Sequence, residues 1–149
     1  MASPFNEQNA EVSPDGAWLA YQSNASGTDE ICVQPFPDVE QGRWQVSTGG
    51  GTQPLWAPSG RELFYRAPDG KLMAVPIRPG PGFTRGNAVV VVDRAYFAGA
   101  GALGRTYDVS PDGTRFLMIK DAAASTGTAP QLVVVLNFFE ELKRLVPTK

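Results

Sequence analysis

This sequence predicts an all-β fold built from three repeated units, and three observations lead to that prediction. The tetrapeptide Ser-Pro-Asp-Gly occurs at 13–16 and again at 110–113, and a variant, Ala-Pro-Ser-Gly, lies between them at 57–60. A short extended segment stands on each side of every copy. A third apolar run follows in each unit, at 30–36, 71–77 and 131–137.

The repeated tetrapeptide has the chemistry of a tight turn between two antiparallel strands. Proline presets φ near roughly −65° at the second turn position, Asp or Ser follows, and Gly accepts a positive φ. The segments before the turns are NAEV, QPLW and TYDV, and those after them are AWLAYQS, RELFYRA and TRFLMIK. Each unit therefore begins as a predicted β-hairpin.

The spacing of the turns predicts a propeller. Pro14, Pro58 and Pro111 are 44 and 53 residues apart, and the first two units contain a fourth segment, RWQVS and AVVVVD. Four short strands repeating every ~40–50 residues are typical of propeller blades. A loop rich in glycine and alanine, at 97–104, lengthens the second interval. The alternative is a non-repetitive β-sandwich.

The C-terminal segment FFEELKRLV predicts a short amphipathic helix. Its acidic residues come early and its basic residues late, an order that suits the helix dipole, and Phe138, Leu142 and Leu145 fall on one face. The predicted organisation is one propeller-type domain, 1–149, with blades at about 9–48, 52–94 and 105–137 and a helix at about 138–146.

Two stretches resemble a known family. VSPDGAWLAYQSNASGTDEICVQPF is similar to the blade repeat of TolB-type, WD40-like (PD40) propellers, and QLVVVLNFFEELKRLVP resembles the C-terminal end of propeller regions fused behind bacterial serine/threonine kinases. The resemblance covers about 10–147 and implies a propeller fold. It implies little about activity, because propellers host binding and catalysis alike. The sequence contains no kinase motif.

Three blades are fewer than the roughly four to eight of ordinary propellers. An open fan would leave apolar faces on its end blades and unpaired sheet edges. Two copies joined head to tail would make a six-bladed ring with a two-fold axis, so we expect a homodimer. The segment MASPFNEQ could supply the missing outer strand of the last blade. Alternatively, the chain is a fragment of a longer propeller that associates only because it was cut.

Composition narrows the possible partners. The 149 residues are 42% hydrophobic and 19% charged, the net charge is −2, and no basic run stands out, which argues against nucleic acid. Neither a signal peptide nor an apolar run of membrane-spanning length is evident. We expect a soluble chain without a membrane partner, cytoplasmic or periplasmic if it belongs to a longer parent.

Candidate ligand-binding residues lie where each inner strand begins, because propellers commonly bind at the central channel. Glu11 and Asp108 occupy equivalent positions, and in a two-fold ring they would place four carboxylates near one axis. Such carboxylates could hold a divalent cation, although no cofactor is required; structural hydrogen bonds to loop amides are the alternative. The candidate residues are Asn9, Glu11, Gln53, Thr106 and Asp108.

Catalytic patterns are missing from the sequence. It has no histidine, no serine in a nucleophile elbow, and a single cysteine, Cys32, within an apolar strand. Asp15 and Asp112 are explained by their turns. The favoured function is therefore a non-catalytic interaction or ligand-sensing module that binds itself, another protein or a small ligand. The alternatives are a hydrolase or lyase with a carboxylate or metal site at the channel mouth, and an assembly fragment without a function of its own.

Overall fold

A computed structural model describes residues 4–78, 80, 82–97, 99 and 104–120, and the backbone of one further strand. This part of the chain is all β apart from one 3-10 turn, Val39–Gln41, so the predicted fold class is confirmed. No helix within it is long and apolar enough to cross a membrane. The strands are β1 Glu7–Val12, β2 Trp18–Ser23, β3 Glu30–Pro35, β4 Trp44–Gln45, β5 Thr52–Trp56, β6 Glu62–Arg66, β7 Leu72–Arg78, β8 Thr84–Arg85, β9 Val89–Val92, β10 Tyr107–Val109, β11 Phe116–Ile119 and β12 Leu132–Val135.

The strands form three antiparallel sheets in chain order, which we call blades 1, 2 and 3. Blade 1 has the order β1-β2-β3-β4, and blade 3 has the order β10-β11-β12. Blade 2 has the order β5-β6-β7-β8, and β9 also pairs with β7. The outer edge of blade 2 thus differs from the single fourth segment that the sequence predicted, since two short strands share one edge of β7.

The repeated tetrapeptides form the predicted turns. Gly16 and Gly113 have φ values of 72° and 70°, as the turn chemistry requires. In the first copy Ser13 Oγ donates to Asp15 Oδ1 at 2.5 Å, and the same carboxylate oxygen accepts from Ala17 N at 3.1 Å. These hydrogen bonds lower the pKa of Asp15, and the bond from Ser13 is the largest cause. The aspartates therefore serve the turn, as expected.

Alternation along the second strand of each blade determines which side chains face which neighbour. Ala20 and Leu63 lie in one core cluster between blades 1 and 2. Phe64 and Phe116 lie in a second cluster between blades 2 and 3, with ring centroids 4.9 Å apart in an edge-to-face arrangement. Successive residues of a strand point to opposite faces. Ala20 and Phe64 are equivalent residues of the repeat, and each faces the following blade. Leu63 and Phe116 are likewise equivalent, and each faces the preceding blade.

The N-terminal segment belongs to blade 1 where the structure describes it. Asn6 N donates to Asn24 Oδ1 at 2.8 Å, and Glu7 and Gln8 pair with Ser23 and with its strand neighbour in β2. The expectation that the first eight residues supply an outer strand of the last blade is therefore wrong for these three positions, because their backbone hydrogen bonds are used in the inner strand. The predicted helix at about 138–146 lies outside the described residues.

Candidate functional site on the inner strands

The first two inner strands have the same bulge at the candidate positions. The register of β1 against β2 shifts between Gln8 and Glu11, and that of β5 against β6 shifts between Thr52 and Leu55. Within each bulge one residue that is not glycine has a positive φ, 53° at Asn9 and 56° at Gln53. Such a conformation is uncommon outside glycine and persists where surrounding contacts hold it. The sequence alignment paired these two residues correctly.

Hydrogen bonds from the bulges link each blade to the next. Gln22 Oε1 accepts from Asn9 Nδ2 at 3.2 Å within blade 1 and from Gln53 N at 3.3 Å in blade 2. Gln53 Oε1 in turn accepts from Thr106 N at 3.2 Å in blade 3. Gln53 is only 6% exposed and Thr106 only 9%. These two candidate residues therefore join blades and are mostly buried.

Arg66 extends this connection between blades 2 and 3 and was missed from the sequence. Its side chain is only 2% exposed. Its guanidinium donates to Tyr96 O at 2.6 Å and to Phe97 O at 3.0 Å, and Nη1 lies 3.5 Å from Thr106 Oγ1. Burial lowers the pKa of Arg66. The available signal was the repeat itself, because Arg66 stands as far after its turn as Gln22 does.

Two inner-strand carboxylates meet on one arginine. Glu11 is the fifth of the six residues of β1, so it lies near the end of that strand rather than at its start. Arg105 Nη1 donates to Glu11 Oε2 at 3.0 Å, and Arg105 Nη2 lies 3.6 Å from Asp108 Oδ1. The side chains of Arg105 and Glu11 are about one third exposed and that of Asp108 is 60% exposed. Burial raises the pKa of Glu11, and the charge of Arg105 opposes that rise. This arrangement brings the predicted carboxylates together around a protein cation.

Aromatic side chains anchor the inner strands to one another. Tyr107 Oη donates to Gln53 O at 2.7 Å, and Trp56 Nε1 donates to Glu11 O at 3.2 Å. Burial raises the pKa of Tyr107 well above its ordinary value. In both cases an aromatic group of one blade satisfies a backbone carbonyl in or beside the bulge of the preceding blade. The bulges are consequently held from two sides.

An open concavity of about 600 Å³ adjoins this site on blade 3. Arg105 and Asp108 line one part of it, and Leu117 and Ile119 line another. A ligand in this concavity would meet a charged pair beside exposed aliphatic groups. Among the described residues, no cluster of three or more His, Cys, Asp or Glu side chains is arranged to hold a metal ion.

Cys32 lies outside this site, on the other side of blade 1. It is buried, with 1% of its surface exposed, and its Sγ accepts from Arg43 Nη2 at 3.1 Å. Arg43 Nη2 also lies 3.3 Å from Ser23 Oγ, and Arg43 Cζ lies 5.9 Å from the centre of the Tyr21 ring. Burial within a strand withholds the thiol from a substrate.

Comparison with known proteins identifies the fold. No family model and no curated protein sequence matches the chain. TolB from Acinetobacter baumannii is similar with a TM-score of 0.62 and 14% identity, over 89% of this chain and 30% of that one. An oligogalacturonate lyase from Vibrio parahaemolyticus is similar with a TM-score of 0.64 and 16% identity, over 91% of this chain and 39% of that one. A putative 6-phosphogluconolactonase from Bacteroides uniformis is similar with a TM-score of 0.52 and 16% identity, over 92% of this chain and 43% of that one. The chain therefore has a TolB-like propeller fold, and it spans less than half the length of these structures.

Proposed function

We propose that this chain, with its TolB-like propeller fold, is a non-catalytic binding module whose two end blades bind each other in a second copy. The observation that supports the proposal most directly is the exposed face of blade 3. Leu117 and Ile119 are each 42% exposed on that face. Large apolar side chains grouped on one sheet face are typical of protein interaction surfaces.

The repeat indicates what this face is suited to contact. Leu117 occupies the position of Ala20 and Phe64, since each of the three pairs with its inner strand at the same place. Ala20 and Phe64 are buried against the following blade. Leu117 therefore presents to solvent the surface that the first two blades use to hold a neighbour.

Blade 1 presents the complementary surface. Leu19 has the position of Leu63 and Phe116, which are buried against the preceding blade. Val12 pairs with Leu19 across β1 and β2 and is 39% exposed. Joining blade 3 of one copy to blade 1 of another thus repeats an interface that the chain already contains twice. Two such joints close a six-bladed ring with a two-fold axis.

Light scattering across protein concentration tests this assembly. We expect a mass twice that of the 16.0 kDa chain at tens of micromolar, because apolar burial at ~25 cal/mol per Å² opposes the entropy lost on association. Leu117→Glu should yield a folded species of single-chain mass. Thr84→Glu, on the outer edge of blade 2, adds the same charge away from both end faces and should remain a dimer.

Some results of that experiment would contradict the proposal. A wild-type chain that keeps single-chain mass at the highest concentration, with a cooperative thermal transition, would exclude self-association. A dimer that persists unchanged in Leu117→Glu would place the interface elsewhere. Far-UV circular dichroism of each variant establishes that its sheet structure is intact, so that a change of mass is not a consequence of unfolding.

Ligand sensing at the channel mouth belongs to the same proposal. Glu11, Asp108 and Arg105 are the accessible members of the site, and a ligand carrying both charges could replace their mutual contacts. Asn9, Gln53 and Thr106 would act behind them by keeping the bulges in place. Gln53→Ala should consequently lower the stability of the contact between blades 2 and 3, because Thr106 N loses its acceptor, and should change ligand binding only indirectly.

An enzyme is the second candidate, and one observation favours it. Burial raises the pKa of Glu11, which accepts from Arg105, one of the residues that line the open concavity. A raised carboxyl pKa is typical of groups that exchange protons with a substrate. A lyase and a putative lactonase are among the similar structures. Metal analysis of purified protein separates the two readings. A stoichiometric divalent ion that disappears in Asp108→Asn would favour the enzyme, and its absence in wild type would favour the binding module.

A further inference from the structure

A second pocket lies between blades 1 and 2, at the end of the inner strands where the repeated turns lie. Its volume is about 420 Å³, within the range of small-molecule sites. Pro14 and Gly60 of two successive turns contribute to its rim, while Trp18, Ile77 and Phe83 contribute apolar surface. It is separate from the bulges, from the Glu11–Arg105–Asp108 cluster and from the end faces.

The apolar surface of this pocket is formed by aromatic rings that pack on one another. The rings of Trp18 and Phe83 have centroids 5.3 Å apart at an interplanar angle of 61°. Trp44 lies edge-on to Trp18, with centroids 5.6 Å apart. Phe83 is only 9% exposed, so its position is determined by packing. A flat apolar group entering the pocket would meet a preformed aromatic surface.

Two arginines line the pocket. Arg61 and Arg78 are exposed, and neither guanidinium forms a hydrogen bond or ion pair within the part of the chain that the structure describes. Their backbones are nevertheless held, because Arg61 O accepts from Ile77 N at 2.7 Å and Arg78 pairs with Thr84. Other arginines do have side-chain partners, namely Arg43, Arg66, Arg85, Arg105 and Arg115.

The charge of the pocket favours an anion. Arg61 and Arg78 are opposed by one carboxylate, Asp15, whose Oδ1 already accepts from Ser13 and from Ala17. The chain as a whole has a net charge of −2, so this local excess of positive charge runs against the average. A similar concavity between the turns of blades 2 and 3 is lined by neither an arginine nor an aromatic side chain. The turn geometry alone therefore does not account for the arginines.

We propose that this pocket binds a small organic monocarboxylate with a flat apolar body. Guanidinium groups pair with carboxylates through two parallel hydrogen bonds, which are stronger than neutral ones. The aromatic surface formed by Trp18 and Phe83 would receive the apolar body. The carboxylate of Asp15 on the rim disfavours a second negative charge on the ligand. This site goes beyond the proposed assembly, since it needs neither end blade.

Nuclear magnetic resonance of the full, ¹⁵N-labelled chain tests the site with 2-naphthoate as the probe. The indole Nε1–H of Trp18 should shift saturably as 2-naphthoate is added. The backbone amide of Met118 should not shift, because Met118 is buried in the core cluster between blades 2 and 3, away from the pocket. The neutral analogue 2-naphthalenemethanol has the same aromatic body and should bind at least tenfold more weakly, because it cannot form the charge-assisted hydrogen bonds.

Variants of the two arginines complete the test. Arg61→Gln and Arg78→Gln should each weaken 2-naphthoate binding by about tenfold, the effect of losing one charge-assisted hydrogen bond. Both side chains are exposed and have no side-chain partner among the residues that the structure describes, so we expect unfolding transitions like those of wild type. Arg94→Gln removes an exposed arginine outside the pocket and should bind like wild type.

Three results would overturn the proposal: no Trp18 shift at millimolar 2-naphthoate, equal binding of the neutral analogue, and arginine variants that bind like wild type. Light scattering on the same samples keeps this outcome distinct from failure of the proposed assembly, because the pocket variants leave both end faces unchanged.

Discussion

Replacing Arg66 by methionine should destabilise the fold more than any other arginine change at a described position. Arg66 is 2% exposed and its guanidinium donates to Tyr96 O and Phe97 O, which lie on the connection between blades 2 and 3. Methionine retains the apolar stem but has no donor. The substitution would remove the Arg66 donor from both carbonyls, although Phe97 O would still accept from Thr106 Oγ1 at 3.0 Å.

The expected loss of unfolding free energy is about 3 kcal/mol. Hydrogen bonds from a charged donor are worth about 1.5–3 kcal/mol each, so the two short bonds sum to about 3–6 kcal/mol. Part of this is offset, because the variant no longer buries a charge, and it is that burial which lowers the pKa of Arg66. A value toward the lower end of the range remains.

Urea denaturation followed by tryptophan fluorescence measures this loss, with Arg43→Met as the matched control. Arg43 also bonds through its guanidinium, to Ser23 Oγ and Cys32 Sγ, but it is exposed. Exposure to water weakens such contacts, so the control should lose no more than about 1 kcal/mol. An Arg66→Met transition that coincides with that of wild type or of the control would refute the assignment of Arg66 as the buried link.

Two further predictions concern the repeated turns. Gly16→Val and Gly113→Val should each destabilise the protein by roughly 1 kcal/mol or more, because a β-branched residue is strained at the φ values of 72° and 70°. Ala17→Val is the control. Unchanged urea midpoints for both glycine variants would contradict the turn assignment. Hydrogen bonding, chiefly from Ser110, lowers the pKa of Asp112 to about 2. The folded pKa of Asp112 lies below the unfolded value, so its contribution to stability is present above about pH 4 and is lost as pH falls toward 2. Asp112→Asn should therefore lower stability at neutral pH and flatten the acid limb of a plot of urea midpoint against pH. A plot parallel to that of wild type would disprove this.

Local chemistry was enough to predict the turns and the alignment of the repeats. A proline, a short polar residue and a glycine decide a turn within four positions, whatever the rest of the chain does. Alignment on those turns paired Asn9 with Gln53, and both residues have the same bulged backbone.

Contacts between blades were not accessible in the same way. The Arg105–Glu11 ion pair joins residues 94 positions apart, and Gln53 reaches Thr106 across 53 positions. Such contacts depend on how one twisted sheet is staggered against the next, and no local pattern contains that stagger. The same holds for Glu7 and Gln8, which the sequence offered as part of an outer strand of the last blade and which pair in the inner strand of blade 1.

The sequence by itself thus determined an all-β repeat with its turns and its apolar faces, because turn conformation and strand alternation are properties of a few consecutive residues. Only the tertiary structure decided that Glu11 and Asp108 meet Arg105, that Arg66 is buried, and that Arg61 and Arg78 share a pocket. The physical reason is that the charge and length of a side chain follow from its residue type, whereas the groups it contacts depend on how separate sheets pack.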